Sequence, residues 1–173
     1  AIRDSNRPML LSLLADAGVE PVDLGIIPDD PDVLRDALTR ASEADVVVST
    51  GGVSMGDYDV TKMVLQGDSD VDFWQVAIQP AKPFAFGTIG TTPFFGLPGN
   101  PVSAMVGFEQ FVRPGILAAM GASRLFRVRV PAVITEEVRT NPDKTVFLRV
   151  EFAEFDRVRL SGGQASNMLS ALA

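Results

Sequence analysis

The fold of this 173-residue chain is decided by residues 44–59, which read ADVVVSTGGVSMGDYD. The three valines at Val46–Val48 form a short apolar run of β-branched residues. A run that is apolar without alternation is typical of a strand buried on both faces of a parallel sheet. The paired glycines Gly51 and Gly52 then permit a tight turn after the strand. The stretch therefore predicts a strand, a glycine-rich loop and a helix that begins near Asp59.

Helices and strands alternate along the first two thirds of the chain. The predicted helices span residues 5–17, 32–41 and 100–120, and the predicted strands span residues 19–27, 44–50, 73–78, 84–89 and 93–97. Pro114 is expected to kink or interrupt the last helix, because proline lacks the N–H group that a helix interior needs. The alternation predicts an α/β fold with a doubly wound, mostly parallel sheet as the first domain, over residues 1–122.

After the long predicted helix, the alternation of helices and strands stops. Strand-like segments follow one another at residues 127–130, 146–152 and 158–160. They predict a small all-β, barrel-like second domain over residues 123–173. Within the segment 146–152, period-two alternation places apolar side chains, including Val150 and Phe152, on a buried face. The same alternation turns Arg149 outward.

Composition narrows the chemistry that the chain can perform. It has no cysteine and no histidine, and 22 acidic against 15 basic side chains leave a net charge of −7. The absence of cysteine excludes disulfides and thiol nucleophiles and is compatible with the cytoplasm. The absence of histidine removes the commonest general base. The negative charge argues against nucleic acid as a partner, and no apolar run approaches the roughly 20 residues that span a membrane.

Both ends of the sequence point to a piece of a longer protein. The chain begins without methionine and enters helix-like sequence almost at once, and it stops at residues 172–173 within an apolar pattern. We therefore interpret it as a fragment of a longer protein, or as the ordered part of one.

The glycine-rich loop after the valine strand is the first candidate site, because ligands of open α/β sheets bind beyond the carboxyl ends of the strands. Three hydroxyl side chains lie in or beside this loop, those of Ser49, Thr50 and Ser54. Gly51 and Gly52 allow the backbone to approach a ligand closely. Asp57 and Asp59 are hard oxygen ligands that suit Mg²⁺ shared with a phosphate. The alternative is a turn in which Asp59 only caps the following helix.

A second loop, residues 96–103 (GLPGNPVS), again leads from a predicted strand into a predicted helix. Between the two loops, Lys82 stands in a stiff segment between Pro80 and Pro83. A lysine held in this way can neutralise a phosphate or a tetrahedral oxyanion as a point charge. The alternatives are a turn capped by Asn100 and a solvated lysine. Two loops at neighbouring strand ends favour one shared pocket for an anionic small molecule.

Three stretches together resemble a known family: residues 45–59, residues 79–87 (QPAKPFAFG) and residues 96–103. They are similar to molybdopterin molybdenumtransferase, the bacterial MoeA family, whose eukaryotic counterparts include the E domain of gephyrin. The resemblance implies a molybdopterin-binding fold. It also implies a reaction in which adenylylated molybdopterin and molybdate give AMP and molybdenum bound to the dithiolene. A divalent cation, normally Mg²⁺, and a homodimer of the full-length protein are implied as well.

The same resemblance suggests roles for individual residues. Those implied at the pterin, phosphate and adenylate groups are Ser49, Thr50, Gly51, Gly52, Ser54, Gly99 and Asn100. Those implied near molybdate are Lys82, Pro83, Ser103, Arg149 and Ser166. Asp59, Lys82 and Asp30 would be catalytic, with Asp57 and Asp59 as metal ligands, although Asp30 also suits a simple turn and helix cap. The family often has Lys-Pro-Gly-Lys-Pro, so Gln79 replaces a lysine here and removes one positive charge.

Two other functions stay open at this point. A molybdopterin adenylyltransferase would transfer AMP from ATP and would not need the β domain. A non-catalytic binding or scaffold module would bind the pterin without releasing AMP.

Overall fold

A four-stranded sheet flanked by helices forms the first part of the structure, a computed structural model that describes residues 4–53 and 60–168. Its helices are α1 (Asn6–Asp16), α2 (Pro31–Ala41) and α3 (Val60–Asp68), and its strands are β1 (Val47–Thr50), β2 (Asp70–Gln75), β3 (Ile78–Gln79), β4 (Pro83–Ile89) and β5 (Thr92–Leu97). A long helical segment follows, composed of α4 (Pro101–Gly107), a π-helical turn (Phe108–Val112) and α5 (Arg113–Ala119). None of the described helices has the length and apolar character needed to span a lipid bilayer.

The sheet has the strand order β1-β5-β4-β2. Helices pack on both of its faces, which confirms the predicted doubly wound α/β class. The expectation of a mostly parallel sheet is wrong, however, because among the described strands of this sheet only β1 and β5 pair in parallel. The reason is the short connection at Gly90, whose φ of 61° lets the chain reverse between β4 and β5. A connection of this length joins antiparallel neighbours only, since parallel strands require a long crossover.

Two apolar clusters, one on each face of the sheet, hold the first part together. Phe94 of β5 is fully buried on one face, against Leu65 of α3. Phe95, the next residue, lies on the opposite face, against the fully buried Phe108 of the long helix. The three valines divide in the same way. Val47 belongs to the first cluster, and its neighbours Val46 and Val48 pack against the second. Burial on both faces is what the run of valines predicted.

The helix predicted over residues 100–120 is confirmed as a helical segment and is interrupted as expected. The Arg113 N–H donates to the Phe108 carbonyl, five residues earlier, so the turn before Pro114 is π-helical. Because Pro114 has no N–H, it cannot continue the regular ladder. One wider turn absorbs this irregularity.

The strand predicted over residues 19–27 does not form. Asp23 instead accepts hydrogen bonds from the Arg7 side chain at 3.0 and 2.8 Å and from the Gly25 N–H at 2.8 Å. These bonds lower the pKa of the Asp23 carboxyl, the Gly25 amide contributing most. The side-chain bond to Gly25, whose φ is 78°, turns the chain in mid-segment and breaks the extended conformation.

The second part of the chain is built from short strands, β6 (Val133–Ile134), β7 (Thr145–Val146), β8 (Val150–Glu154) and β9 (Arg157–Leu160). Strands β6, β9 and β8 form an open three-stranded sheet, so the described strands do not close the expected barrel, whereas β7 pairs with β3 of the first part. The strand expected at residues 127–130 is absent. The domain boundary between residues 122 and 123 stays a prediction.

The predicted faces of residues 146–152 are reversed. Val150 and Phe152 are exposed, whereas Arg149 is buried. The physical reason is that residues 147–149 leave the strand conformation, so the alternation does not continue from β7 into β8. A single break of this kind moves every later side chain to the other face.

Phe94→Ala is expected to lower the free energy of unfolding by about 3–5 kcal/mol, because it opens a cavity in a fully buried site. Urea denaturation measures the loss. Phe155→Ala serves as the control, since that ring is 93% exposed, and should leave the midpoint nearly unchanged. Equal effects of the two substitutions would contradict the assignment of Phe94 to the core.

Candidate anion-binding site

A cleft of about 680 Å³ lies where the two predicted loops meet the second part of the chain. Its walls come from five stretches of sequence. They are the first loop at residues 51–53, the segment 78–83, the second loop at residues 98–100 with Ser103, Lys144 with residues 146–148, and residues 164–166. The cleft therefore lies beside the carboxyl ends of the parallel pair, β1 and β5. This is the position that the α/β fold predicts for a ligand.

One buried side chain ties the two loops together. The Asn6 side-chain amide donates to Thr50 Oγ1 at 2.9 Å and to the Gly99 carbonyl at 2.7 Å. Thr50 Oγ1 in turn donates to the Pro98 carbonyl at 3.0 Å, and the Gly51 N–H donates to the Leu97 carbonyl at 2.9 Å. These bonds hold the loop after β1 directly against the loop after β5.

The sequence alone did not identify Asn6 as a residue of the site. It is only 8% exposed, yet it stands at the start of α1, where an asparagine ordinarily signals no more than a helix cap. Two buried oxygens near these loops, Asn6 Oδ1 and Ser49 Oγ, have no hydrogen-bond partner among the described residues. Ser49 does not line the cleft and lies at the end of β1.

The first loop needs glycine for two reasons. Gly52 has a φ of 67°, a conformation that side chains rarely adopt. A Cβ atom there would also lie 2.3 Å from the hydroxyl of Thr61 in α3. Both constraints hold the backbone of the loop close to the cleft, where its amide groups can face a ligand.

Lys82 projects from a constrained segment. Its carbonyl accepts from the Val76 N–H at 2.8 Å, and Pro83 follows it at the start of β4. The preceding residue, Ala81, is buried and has a φ of 80°. That left-handed conformation costs a non-glycine residue roughly 1–2 kcal/mol, so the surrounding packing must hold it in place.

The charge of the cleft differs from that of the whole chain. Lys82 and Lys144 both line it, and none of its described lining residues is a carboxylate. In a chain of net charge −7, this local excess of positive charge favours an anionic ligand. Lys144 was not predicted, because an isolated lysine in a polar stretch has no signal in the sequence.

The second part of the chain reaches the cleft through backbone pairing. Strand β7 pairs in parallel with β3, with Val146 in register with Gln79. The Phe147 N–H also donates to the Gln79 carbonyl at 2.8 Å. On the opposite wall, the Asn100 side chain donates to Ser166 Oγ at 3.0 Å. The last contact couples the second loop directly to the later part of the chain.

Arg149 supports one wall of the cleft from behind. It is 7% exposed, and its guanidinium group donates to the carbonyls of Gly163 and Ala165. Its backbone N–H donates to the Gln164 side chain at 2.8 Å, and Gln164 donates back to the Arg149 carbonyl at 3.0 Å. Arg149 Nε has no partner among the described residues. The residue thus positions the segment that presents Gln164 and Ser166 to the cleft.

The structure brings together most, but not all, of the residues predicted for the site. Those that line the cleft are Gly51, Gly52, Lys82, Pro83, Gly99, Asn100, Ser103 and Ser166. Those that do not line it are Asp30, Ser49, Thr50 and Arg149. Ser54, Asp57 and Asp59 lie outside the described residues. Asp30 caps α2 by accepting from the N–H groups of Asp32 and Val33, so its catalytic role stays a prediction.

Fold and cleft together define a class of protein, an α/β domain with an anion-suited cleft between its loops. Residues 1–118 match the family model described as "Probable molybdopterin binding domain". The match covers more than half of the chain, and the chain belongs to this molybdopterin-binding family.

Two relatives in sequence are longer proteins, both named as molybdopterin molybdenumtransferases. The chain is 47% identical over 121 residues to the molybdopterin molybdenumtransferase of Haemophilus influenzae, covering 69% of this chain and 30% of that protein. It is 39% identical over 155 residues to molybdopterin molybdenumtransferase 2 of Mycobacterium tuberculosis, covering 86% and 38%. The chain therefore spans 30–38% of the length of these two relatives.

Solved structures agree with the sequence relatives. Two structures of the molybdopterin biosynthesis moeA protein from Pyrococcus horikoshii resemble this chain with TM-scores of 0.78 and 0.77. Sequence identity is 26% for the first, which covers 99% of this chain and 40% of that one, and 31% for the second, which covers 92% and 39%. These matches confirm the predicted resemblance and its α/β fold.

Asn6→Ala is expected to destabilise the chain by about 1–3 kcal/mol, because it leaves the buried acceptors at the two loops without their donor. A double-mutant cycle with Thr50→Val, followed by urea denaturation, should give a coupling energy of about 0.5–3 kcal/mol. Ser12→Ala removes an exposed side-chain bond to the Pro8 carbonyl within α1 and is the control. Additive effects of Asn6→Ala and Thr50→Val would contradict the proposed tie.

Proposed function

We propose that this chain takes part in the insertion of molybdenum into adenylylated molybdopterin with release of AMP, a step of molybdenum cofactor biosynthesis. The observation that carries the proposal is the cleft itself, in which two lysines and several hydrogen-bond donors converge without a carboxylate among the described lining residues. Both substrates, molybdate and the adenylylated pterin, are anions. The names of the relatives, molybdopterin molybdenumtransferases, support the same reaction.

The residues in the cleft suit the two substrates in different ways. The first loop, with Gly51 and Gly52, and the second loop, with Gly99 and Asn100, would hold the phosphate-containing pterin through backbone N–H groups and an amide. A compact tetrahedral oxyanion such as molybdate needs a charged donor as well. Lys82 provides that charge, because its ammonium group forms charge-assisted hydrogen bonds that are stronger than neutral ones.

Molybdate would lie beside Lys82, between Pro83 and the hydroxyl groups of Ser103 and Ser166. Ser103 is only 5% exposed, so its hydroxyl is already largely desolvated. A hydroxyl in this state gains more from an anionic acceptor than one that is bonded to bulk water. Arg149 would add positive charge from behind the wall that carries Ser166.

Magnesium, a homodimer of the complete protein and a cytoplasmic location belong to the same proposal. The magnesium ligands would be Asp57 and Asp59, which lie outside the described residues. In the part of the chain that the structure describes, no three potential metal-ligating side chains lie together. The described lining residues of the cleft offer lysine, amide and hydroxyl groups to an anion.

The proposal is tested by incubating the chain with adenylylated molybdopterin and Mg²⁺, with and without molybdate, and measuring AMP by chromatography. AMP is expected only when both substrates are present, and calorimetry should show binding of the adenylylated pterin in either case. Binding without molybdate-dependent AMP release would limit this chain to a binding role. Failure to bind the adenylylated pterin would refute the proposal.

Lys82→Ala should weaken molybdate binding by about tenfold, since one charge-assisted hydrogen bond is lost. Binding of adenylylated molybdopterin should fall less, because the two loops hold that ligand at other groups. Calorimetric titration of each ligand measures both effects. Lys62→Ala, which removes a lysine that lies over the Phe73 ring and away from the cleft, is the matched control. Equal losses for both ligands would contradict the role given to Lys82.

A further inference from the structure

We infer that Lys144 is the second cation of the oxyanion site and binds, together with Lys82, a doubly charged tetrahedral oxyanion. The ligand class includes molybdate and a phosphate monoester. The inference rests on the proposed function and extends it by a residue from the later part of the chain.

The backbone beside Lys144 is anchored to the segment that carries Lys82. Thr145, the next residue, donates its N–H to the Ala77 carbonyl at 2.9 Å and is in register with Ile78. On its other side, the Lys144 N–H donates to the Asn141 carbonyl at 3.3 Å, which closes a turn. Hydrogen bonds on both sides of Lys144 therefore fix its backbone at the wall of the cleft. The strand that follows it, β7, pairs with β3 from a distant part of the sequence.

The distribution of charge points to a ligand for this lysine. The chain has three lysines, and two of them line one cleft. Two exposed arginines of the second part have carboxylate partners, in the pairs Arg159–Glu151 and Arg139–Glu137. Neither Lys82 nor Lys144 makes an ion pair with any described residue. No carboxylate is among the described lining residues of the cleft. The two like charges therefore repel one another, and a bound dianion would neutralise both.

Gln79 explains why a second cation is needed. It lines the cleft three residues before Lys82 but supplies only a neutral amide. Arg149 does not line the cleft, so with Lys82 as its one lining cation a dianion would lack a second charged partner in contact with it, which is costly in a partly desolvated cleft. Gln79 is in register with Val146, which lies two residues after Lys144. Lys144 therefore supplies a positive charge on the same side of the cleft as Gln79.

The test is calorimetric titration of sodium molybdate, and separately of AMP, into the chain and three variants. Lys144→Gln should weaken binding of at least one ligand by about tenfold, because one charge-assisted hydrogen bond is lost. Lys144→Arg keeps the charge and should restore most of the affinity. Lys62→Gln makes the same change of charge at a lysine outside the cleft and should bind like the unchanged chain. The loss should shrink as salt is added, since salt screens partly exposed charges.

The outcomes separate the inference from the function on which it rests. A loss for molybdate assigns Lys144 to the metal oxyanion, and a loss for AMP alone assigns it to the phosphate; either supports the inference. If the unchanged chain binds both ligands and Lys144→Gln binds them equally well, the inference is wrong and the proposed function stands. If the unchanged chain binds neither ligand, the inference is wrong, whereas the proposed function fails only if the chain also does not bind adenylylated molybdopterin. Urea denaturation of each variant checks that it is folded, and failure of Lys144→Arg to restore affinity would also overturn the inference.

Discussion

The arrangement of the cleft depends on the hydrogen bonds of one buried amide, the side chain of Asn6. Its two N–H bonds end on Thr50 and Gly99, so one group from the first helix holds the loops that follow β1 and β5. Parallel pairing of β1 with β5 brings the loops to the same edge of the sheet, but it does not determine how closely they approach. The amide does, because its two bonds form together only when both loops are in place. Loss of such a donor is costly in a buried site, where water cannot replace it.

The second constraint is electrostatic and joins the two parts of the chain. Lys82 comes from the segment before β4, and Lys144 comes from the turn before β7. They share a cleft because β7 pairs with β3, a connection between residues more than sixty positions apart. Arg149 contributes from behind by holding the segment that carries Ser166. An anion in this cleft would therefore be bound by both parts of the chain at once.

Several elements could be predicted from local sequence, and the failures have identifiable causes. The valine strand was predictable because it is buried on both faces, which demands an unbroken apolar run. The segment 19–27 is also rich in apolar residues, but a hydrogen bond from the Gly25 N–H to the Asp23 carboxylate turns its backbone. At Arg149 the prediction of an exposed face failed because alternation holds only while the strand continues. Asn6 and Lys144 were missed because their roles depend on partners that are distant in the sequence.

The amino-acid sequence by itself determined the α/β class, the places of the two glycine-containing loops and the family resemblance, since each rests on local pattern or on motifs of adjacent residues. Only the tertiary structure decided the mixed pairing of the sheet, the buried position of Arg149 and the meeting of Lys82 with Lys144 in one cleft. The physical reason is the distance along the chain over which each interaction acts. Backbone propensity, burial pattern and turn chemistry act between near neighbours, whereas the charge of a site is the sum over all groups that folding brings together.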